Sequence, residues 1–193
     1  MDNMPLSVVL TVDVRNAFNE VCRTGMLQEA CAVLPELSGF FSWCYGQPSP
    51  LYYQHQPGDT RVLWSSQGTR QGDPCGPLLF SLALHPVLNA VRQEFSDVLC
   101  VAYLDDIVLC GEEARVAAAF SLLRQRLLSV CLNVSLPKCS VFAGQNELQL
   151  PWEGIRRADH GFVYLGSPVG NINFVHRCMQ DKMAAVEQEL EML

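Results

Sequence analysis

A chain of 193 residues, 49% of them hydrophobic, has the material for one well-packed domain or for one domain with part of another. Only 17% of its residues are charged and the formal net charge is −7, which argues against a free-standing nucleic-acid binder held on phosphates by its own basic surface. It also leaves apolar area for a neighbouring segment, a partner chain or a long bound substrate to cover. No stretch reaches the ~18 consecutive apolar residues of a membrane span, so no membrane partner is expected. The nine cysteines are an odd number with no Cys-x-x-Cys pair and no secretory leader ahead of them, and several sit in apolar runs and read as small buried residues of a reducing compartment. The four histidines do not cluster with them, and no zinc centre is expected.

Residues 6–12, LSVVLTV, form a β-branched run that ends on Asp13. With a period of two, Val9, Thr11 and Asp13 share one face and Val8, Leu10 and Val12 the other. A central strand reached after so few residues raises the expectation of a missing amino-terminal part. The segment VRNAFNEV then places Phe18 five positions beyond Asp13, across a turn into a helix; on their own these two read as a helix cap and a core aromatic. Residues 20–45 read as one or two helices broken near Pro35, with Leu27, Ala30, Leu34, Leu37, Phe40 and Phe41 as apolar positions. A turn over Gly46–Pro50 precedes a hairpin of Leu51–Gln54 and Arg61–Ser65 around Pro57-Gly58-Asp59. Ser66–Ala83 passes from a glycine-rich loop to an apolar helix that starts at Asp73-Pro74 or at Gly76-Pro77 and continues through Leu88 with a kink at Pro86. Free backbone N–H groups at such a start suit anions. Asp73, before a proline, favours capping over chemistry.

In Val98–Gly111, VLCVAYLDDIVLCG, an apolar β-rich run is interrupted by Asp105 and Asp106 and then resumes. Two unpaired charges between buried strands are costly, so a tight hairpin is expected with its tip facing solvent or a cation, a metal first. Ala114–Leu128 is the clearest helix, with Val116, Phe120, Leu123, Leu127 and Val130 as its apolar stripe. LNVSLPKCSVF follows as a loop running into a short strand; its Lys138 reads as a solvated surface charge or as a site residue. Phe162–Gly170 reads as a short strand and glycine turn. Phe174–Leu193 reads as an amphipathic helix with Val175, Met179, Met183, Val186 and Leu190 on one side.

Five of these segments, in order, resemble the motifs of reverse transcriptases. Asp13, Ala17 and Phe18 match Asp-x-x-x-Ala-(Phe or Tyr). Gln71-Gly72-x-Pro74-x-x-Pro77-Leu78-Leu79-Phe80 is similar to the second motif as found in non-LTR retroelements and group II introns, with Gly76 where many members carry serine. Tyr103-Leu104-Asp105-Asp106 is similar to the Tyr-x-Asp-Asp hairpin. Leu132, Asn133, Lys138 and Cys139 resemble the fourth motif at a longer internal spacing, and Tyr164, Leu165 and Gly166 the primer-grip hairpin.

The resemblance implies an α+β fold, a polymerase palm: an antiparallel sheet with packed helices in the split βαβ, ferredoxin-like arrangement. Residues 1–170 would be the palm core. Residues 171–193 would be a helix at the start of a thumb or connection, with fingers and thumb incomplete. It further implies an RNA-directed DNA polymerase using two Mg²⁺ ions, or Mn²⁺ in their place, held by Asp13, Asp105, Asp106 and the carbonyl of Val14. The implied partners are an RNA template with a DNA primer, and deoxynucleoside triphosphates. Phe18 would lie under the sugar and exclude a 2′ hydroxyl. Gln71, Gly72 and Tyr103 would contact the nucleotide or templating pair, and Arg70 a phosphate. Arg15 would touch phosphate or pair with Glu20, and Lys138 would protonate departing pyrophosphate. The missing fingers and thumb, or a partner chain, would be needed for activity. The alternative is a truncated or degenerate retroelement fragment without polymerase activity, acting if at all as an interaction module.

Overall fold

The computed structural model describes residues 7–144 and 147–191; Leu6 of the first expected strand and the final residues of the last expected helix lie outside them. The centre of the molecule is strand β1, Ser7–Asp13. Its alternation is realised as expected: Val8, Leu10 and Val12 are at most 2% exposed, while Val9, Thr11 and Asp13 lie on the half-open face. Each buried branched side chain contributes about 1.5–3 kcal/mol of transfer free energy, and a one-residue slip would carry all three to the wrong side.

Strand β1 is flanked on one side by the hairpin β4 (Leu99–Tyr103) and β5 (Asp106–Glu112), and on the other by β6 (Ser140–Phe142) and the two-residue β7 (Arg156–Arg157). The sheet order is β4-β5-β1-β6-β7. The pairings of β1 with β5 and β6, and of β4 with β5, are antiparallel. The short β6–β7 pairing is parallel, a departure from the all-antiparallel expectation at the sheet edge.

Between β1 and β4 the chain forms α1 (Ala17–Glu20), α2 (Arg23–Val33), a 3-10 turn at Pro35–Leu37, α3 (Ser38–Tyr45), the hairpin β2 (Ser49–Gln56) with β3 (Asp59–Ser65), and α4 (Gly76–Glu94). The break at Pro35 falls where the proline requires it. Helix α4 takes the second of its two possible starts, Gly76-Pro77, and runs through Pro86 as one continuous helix. After β5 comes α5 (Glu113–Leu128), whose Val116, Phe120, Leu123 and Leu127 are buried as the stripe predicts. A second 3-10 turn, Leu136–Lys138, precedes β6; the hairpin β8 (Gly161–Tyr164) with β9 (Ser167–Gly170) and the helix α6 (Ile172–Glu191) end the described chain.

Helices α4 and α5 pack together and against the sheet, and α2 packs on α4, so one hydrophobic core lies beneath the buried face of β1 and β5. The other face carries Asp13 and Asp106 at one end, with Thr11 and the apolar Val9, Val108, Val101 and Leu99 along the rest of it. Exposed apolar side chains gather on β2–β3 and on α6, among other places. In β2–β3, Tyr52 and Trp64 are 73% and 66% exposed, on a two-stranded hairpin that has little stability alone. Along α6, Met179, Met183, Val186 and Leu190 are exposed. Among the described residues no helix is long and apolar enough to cross a membrane.

Candidate active site

Asp13 ends β1 and lies directly opposite Asp106, the first residue of β5. Opposed residues of an antiparallel pair project to the same face, where like charges repel. Asp105 is the second residue of the two-residue turn that joins β4 to β5, following Leu104 at φ +58°. A positive φ at the first turn position matches the twist of a tight hairpin, and a leucine holds it at a cost. The chain thus places three carboxylates at one end of the central strands. Burial first, then repulsion from Asp105 and Asp13, pushes the Asp106 carboxyl above its ordinary value. Asp106 is exposed as a whole residue, so the repulsion is the part that a nearby cation would relieve.

The surroundings of Asp13 are built by the segment after α5. Asn133 and Ser135 clasp the end of β1: the Arg15 N–H donates to the Asn133 carbonyl and the Ser135 N–H to the Asp13 carbonyl, at 2.8 and 2.9 Å. These two bonds frame the Val14–Val134 bridge and do not use the Val14 carbonyl. The buried Cys139 sulfur accepts the Asp13 N–H at 3.4 Å, and Lys138 Nζ stands 3.9 Å from Asp13 Oδ1. That oxygen is buried and has no hydrogen-bond partner, although the Asp13 side chain as a whole is 38% exposed. An unpartnered buried carboxylate oxygen is costly. Lys138 and Cys139 therefore meet Asp13 and Asn133 meets Arg15 beside it despite the longer spacing in sequence, while Leu132 is buried in the core.

Hairpin β8–β9 covers the approach to this end of the sheet. The Tyr164 hydroxyl donates to the Asp106 carbonyl at 3.3 Å, and Leu165 and Gly166 make the turn at φ +48° and +77°. Lys182 of α6 donates to the Gly166 carbonyl. A cleft of about 160 Å³ opens between Asp13, Asp106, Lys138, Arg156, Tyr164 and Leu165. Tyr103 pairs with Asp106 across the hairpin and is 61% exposed.

Phe18 is half-buried and stacks on the buried Phe80 of α4, with ring centroids 4.5 Å apart. Beside it, the Gly68 and Thr69 amides donate to the Val21 and Phe18 carbonyls. Gly68 has φ +67°, and a Cβ there would stand 2.4 Å from the Phe18 carbonyl oxygen, so only glycine fits. Gln71 and Gly72 are exposed on the loop leading to α4. Arg70 is spent locally: its guanidinium donates to the Cys44 carbonyl and Ser49 hydroxyl and lies 5.0 Å from the Tyr45 ring centre. Tyr45, pushed up to about 12 chiefly by burial and by its bond to Asp73, anchors the loop. Asp73 accepts the Cys75 N–H at 2.8 Å in the loop ahead of α4; the N-cap of α4 is Cys75, without a side-chain cap, so the helix-capping role expected of Asp73 is replaced by closure of the loop. Arg15 reaches Glu20 at 3.5 Å.

Several contributors escape a reading by motif. Arg156 lines the cleft from an edge strand with no sequence signal. Thr11 and Ser140 join hydroxyls at 2.7 Å beneath it, a contact set by register alone. Arg23 is 6% exposed and donates to Gly68 and Ser65, fixing the loop base; its i, i+3, i+7 spacing with Met26 and Ala30 was a legible sign that it faces inward.

Among the described residues no three His, Cys, Asp or Glu side chains converge closely enough to hold an ion unaided. The donor set still suits magnesium, which is usually bound through one or two carboxylates completed by water and substrate phosphates, and Asp13 Oδ1, with Lys138 at ion-pair distance, has no hydrogen-bond partner among the described residues.

The chain is 30% identical over 103 residues, 52% of its own length, to the retrotransposable element SLACS 132 kDa protein of Trypanosoma brucei gambiense, and spans 9% of that protein. Apo telomerase of Candida tropicalis, truncated from its C-terminal domain, superposes with a TM-score of 0.68 at 10% identity, over 89% of this chain and 35% of that one. Telomerase of Candida albicans in complex with a TWJ fragment of telomeric RNA gives 0.66 at 11% identity, over 89% of this chain and 31% of that one. At such identities the likeness shows the fold alone, an α+β palm-like arrangement, and the chain spans about a third of these structures. The family model described as reverse transcriptase (RNA-dependent DNA polymerase) matches residues 3–169, a span that holds all three carboxylates, the Gly68–Gly72 loop and the Tyr164 hairpin. The chain therefore belongs to the reverse transcriptase family.

Proposed function

We propose that this chain is the catalytic core of an RNA-directed DNA polymerase of non-LTR type, which joins a deoxynucleoside triphosphate to a primer 3′ hydroxyl on an RNA template. The observation that carries the reading is the in-register Asp13–Asp106 pair, with one buried oxygen of Asp13 unpartnered and Asp105 on the adjoining turn. Asp13, Asp105, Asp106 and the Val14 carbonyl would hold divalent cations, magnesium or manganese. Bound there, such cations supply Lewis-acid activation of the primer hydroxyl and charge neutralisation at the leaving pyrophosphate.

The chain's own residues position the reactants. The Tyr164-Leu165-Gly166 hairpin sets the primer end over Asp106, to whose carbonyl Tyr164 is bonded. Phe18, backed by Phe80, bears on the sugar, and its apolar edge leaves a 2′ hydroxyl without a partner. Gln71 and Gly72, with Tyr103, meet the incoming nucleotide and the templating base. Lys138 holds a proton at Nζ for the departing pyrophosphate. Arg15 and Arg70 reach phosphate by exchanging their present partners. The telomeric RNA fragment in complex with the Candida albicans telomerase and the retroelement relative support RNA as template. The bare faces of β2–β3 and α6 support a need for fingers and thumb segments, or a partner chain, beyond this core of residues 1–170 and its following helix.

Primer extension on an RNA template with Mg²⁺, using this chain and a version extended at both ends, tests the reading. Deoxynucleotide incorporation that Asp105→Ala abolishes supports it. No incorporation by either chain, or incorporation that Asp105→Ala leaves intact, rejects it. The exposed aromatic hairpin β2–β3 favours a second reading, a folded interaction module without polymerase activity, which the first of those failures would favour.

A further inference from the structure

Two cysteines far apart in sequence meet behind the turn that follows Asp13. Cys22 is the N-cap residue of the 11-residue helix α2, and its amide donates to the Val130 carbonyl at 3.0 Å. That bond brings the next residue, Cys131, alongside. Cys131 is exposed and holds φ +63°, a backbone conformation costly for any residue with a Cβ. The two thiols lie close enough to influence each other.

The two thiols are not equivalent. The Gly25 N–H, opposed by burial and joined by donors from Thr24 and Cys131, holds the Cys22 thiol below its ordinary value, whereas burial and the Cys22 charge push Cys131 up. A thiol held below its ordinary value at a helix N-terminus, beside an exposed second thiol, is the arrangement of an attacking and a resolving cysteine. Cys100 and Cys139, by contrast, are buried and pushed up by burial.

We propose that Cys22 and Cys131 form a redox-active dithiol that low-molecular-weight disulfides close into an intrachain disulfide. The Cys22 thiolate attacks one sulfur of the small disulfide, whose S–S bond breaks; the first small thiol leaves with the electron pair and takes a proton. The Cys131 thiol loses its proton to solvent and its sulfur attacks Cys22 Sγ, expelling the second small thiol. Both protein thiols are oxidised, and the small disulfide is reduced to two thiols. The bond requires Cα atoms roughly 4.4–6.8 Å apart, a separation with which the Cys22–Val130 hydrogen bond is compatible. It would tie the residues after Asp13 to those before Lys138, across the seam where Arg15 and Ser135 bond to Asn133 and Asp13. The proposal is independent of the polymerase reading.

The test treats the full reduced chain with oxidised glutathione, blocks remaining thiols with N-ethylmaleimide, and maps unreduced peptides by mass spectrometry. The expected result is a cross-linked peptide pair carrying Cys22 and Cys131, with Cys131→Ser leaving Cys22 as its glutathione mixed disulfide. Recovery of Cys22 in the unsubstituted chain as a maleimide adduct, as a lasting glutathione adduct, or joined to another cysteine overturns the proposal. The map of the unsubstituted chain decides this even where the variant fails to fold.

Discussion

Replacing Asp106 by Asn tests whether the end of β5 is built for a cation. Asp106 faces Asp13 across the sheet, and cross-strand pairs of like charge oppose folding by about 0.2–1 kcal/mol; Asp106 is exposed enough for solvent to screen it, so the lower half of that range applies. For a domain of this size 1 kcal/mol moves Tm by about 2–4 °C. Asp106→Asn is therefore expected to raise Tm by roughly 1–2 °C at neutral pH in metal-free buffer, read by scanning fluorimetry under reducing conditions. The pH dependence has a definite sign. The folded Asp106 carboxyl is raised above its ordinary value of 3.8, so the folded state holds that proton more tightly than the unfolded. The associated stability is present below the ordinary value and lost as pH rises through the raised one; the gain from Asn should accordingly vanish at low pH. Added Mg²⁺ should reverse the ranking, stabilising the unsubstituted chain more than the variant, because a ligand stabilises in proportion to its affinity for the native state. An equal Mg²⁺ response in both proteins, or a loss of Tm in the metal-free variant, would refute the reasoning.

Glu113→Ala removes the acceptor of the Gln149 and Leu150 amides and the Trp152 indole, all at 2.8–2.9 Å, and should cost about 3 kcal/mol; urea unfolding would show a lower midpoint at unchanged slope. Burial raises the Glu113 carboxyl, but these donors outweigh it and hold it below 4.5; its stability is thus present above the ordinary value and lost as pH falls through the folded one, and the variant should have a flatter acid limb. Gly68→Ala, with its Cβ against the Phe18 carbonyl, should cost at least about 2 kcal/mol, measured as a loss of Tm relative to Gly72→Ala, whose Cβ meets nothing. Phe18→Ala should lower the ratio of kcat/KM for deoxy- over ribonucleotide by about tenfold or more in the extended chain; an unchanged ratio would remove Phe18 from sugar selection.

What the sequence exposes is periodic, and what it hides depends on register. The alternation of Val8, Leu10 and Val12 and the stripe of Val116, Phe120, Leu123 and Leu127 are local patterns, and both survive into the fold. That Asp13 faces Asp106 depends on how β1 slides against β5, which no local pattern specifies; motif order pointed to the neighbourhood, and pairing settled the partner. Cys139 accepting the Asp13 amide and Arg156 in the cleft are of the same kind. Helix α1, four residues long, follows Asn16 at φ 47°, a turn too short to show a period. Gly68 carried a partial signal as one glycine among several; only the close approach of the Phe18 carbonyl distinguishes it.

The net charge of −7 fits the arrangement of its cations. Arg15, Arg61 and Arg115 pair with Glu20, Asp59 and Asp97; Arg23, Arg70 and Arg92 are used on backbone carbonyls within the fold. At the carboxylates themselves the cleft is lined by Lys138 and Arg156. Affinity for a nucleic-acid strand scales with the number of phosphates neutralised, and a pair of cations beside a cluster of carboxylates neutralises few. On the proposed function such a core would orient a primer end and a nucleotide rather than grip a duplex, and grip would come from a further segment or partner chain over β2–β3 and α6, whose apolar residues are exposed; a version extended at both ends should then bind primer–template with a steeper salt dependence than the core, and an equal slope would place the grip within these residues.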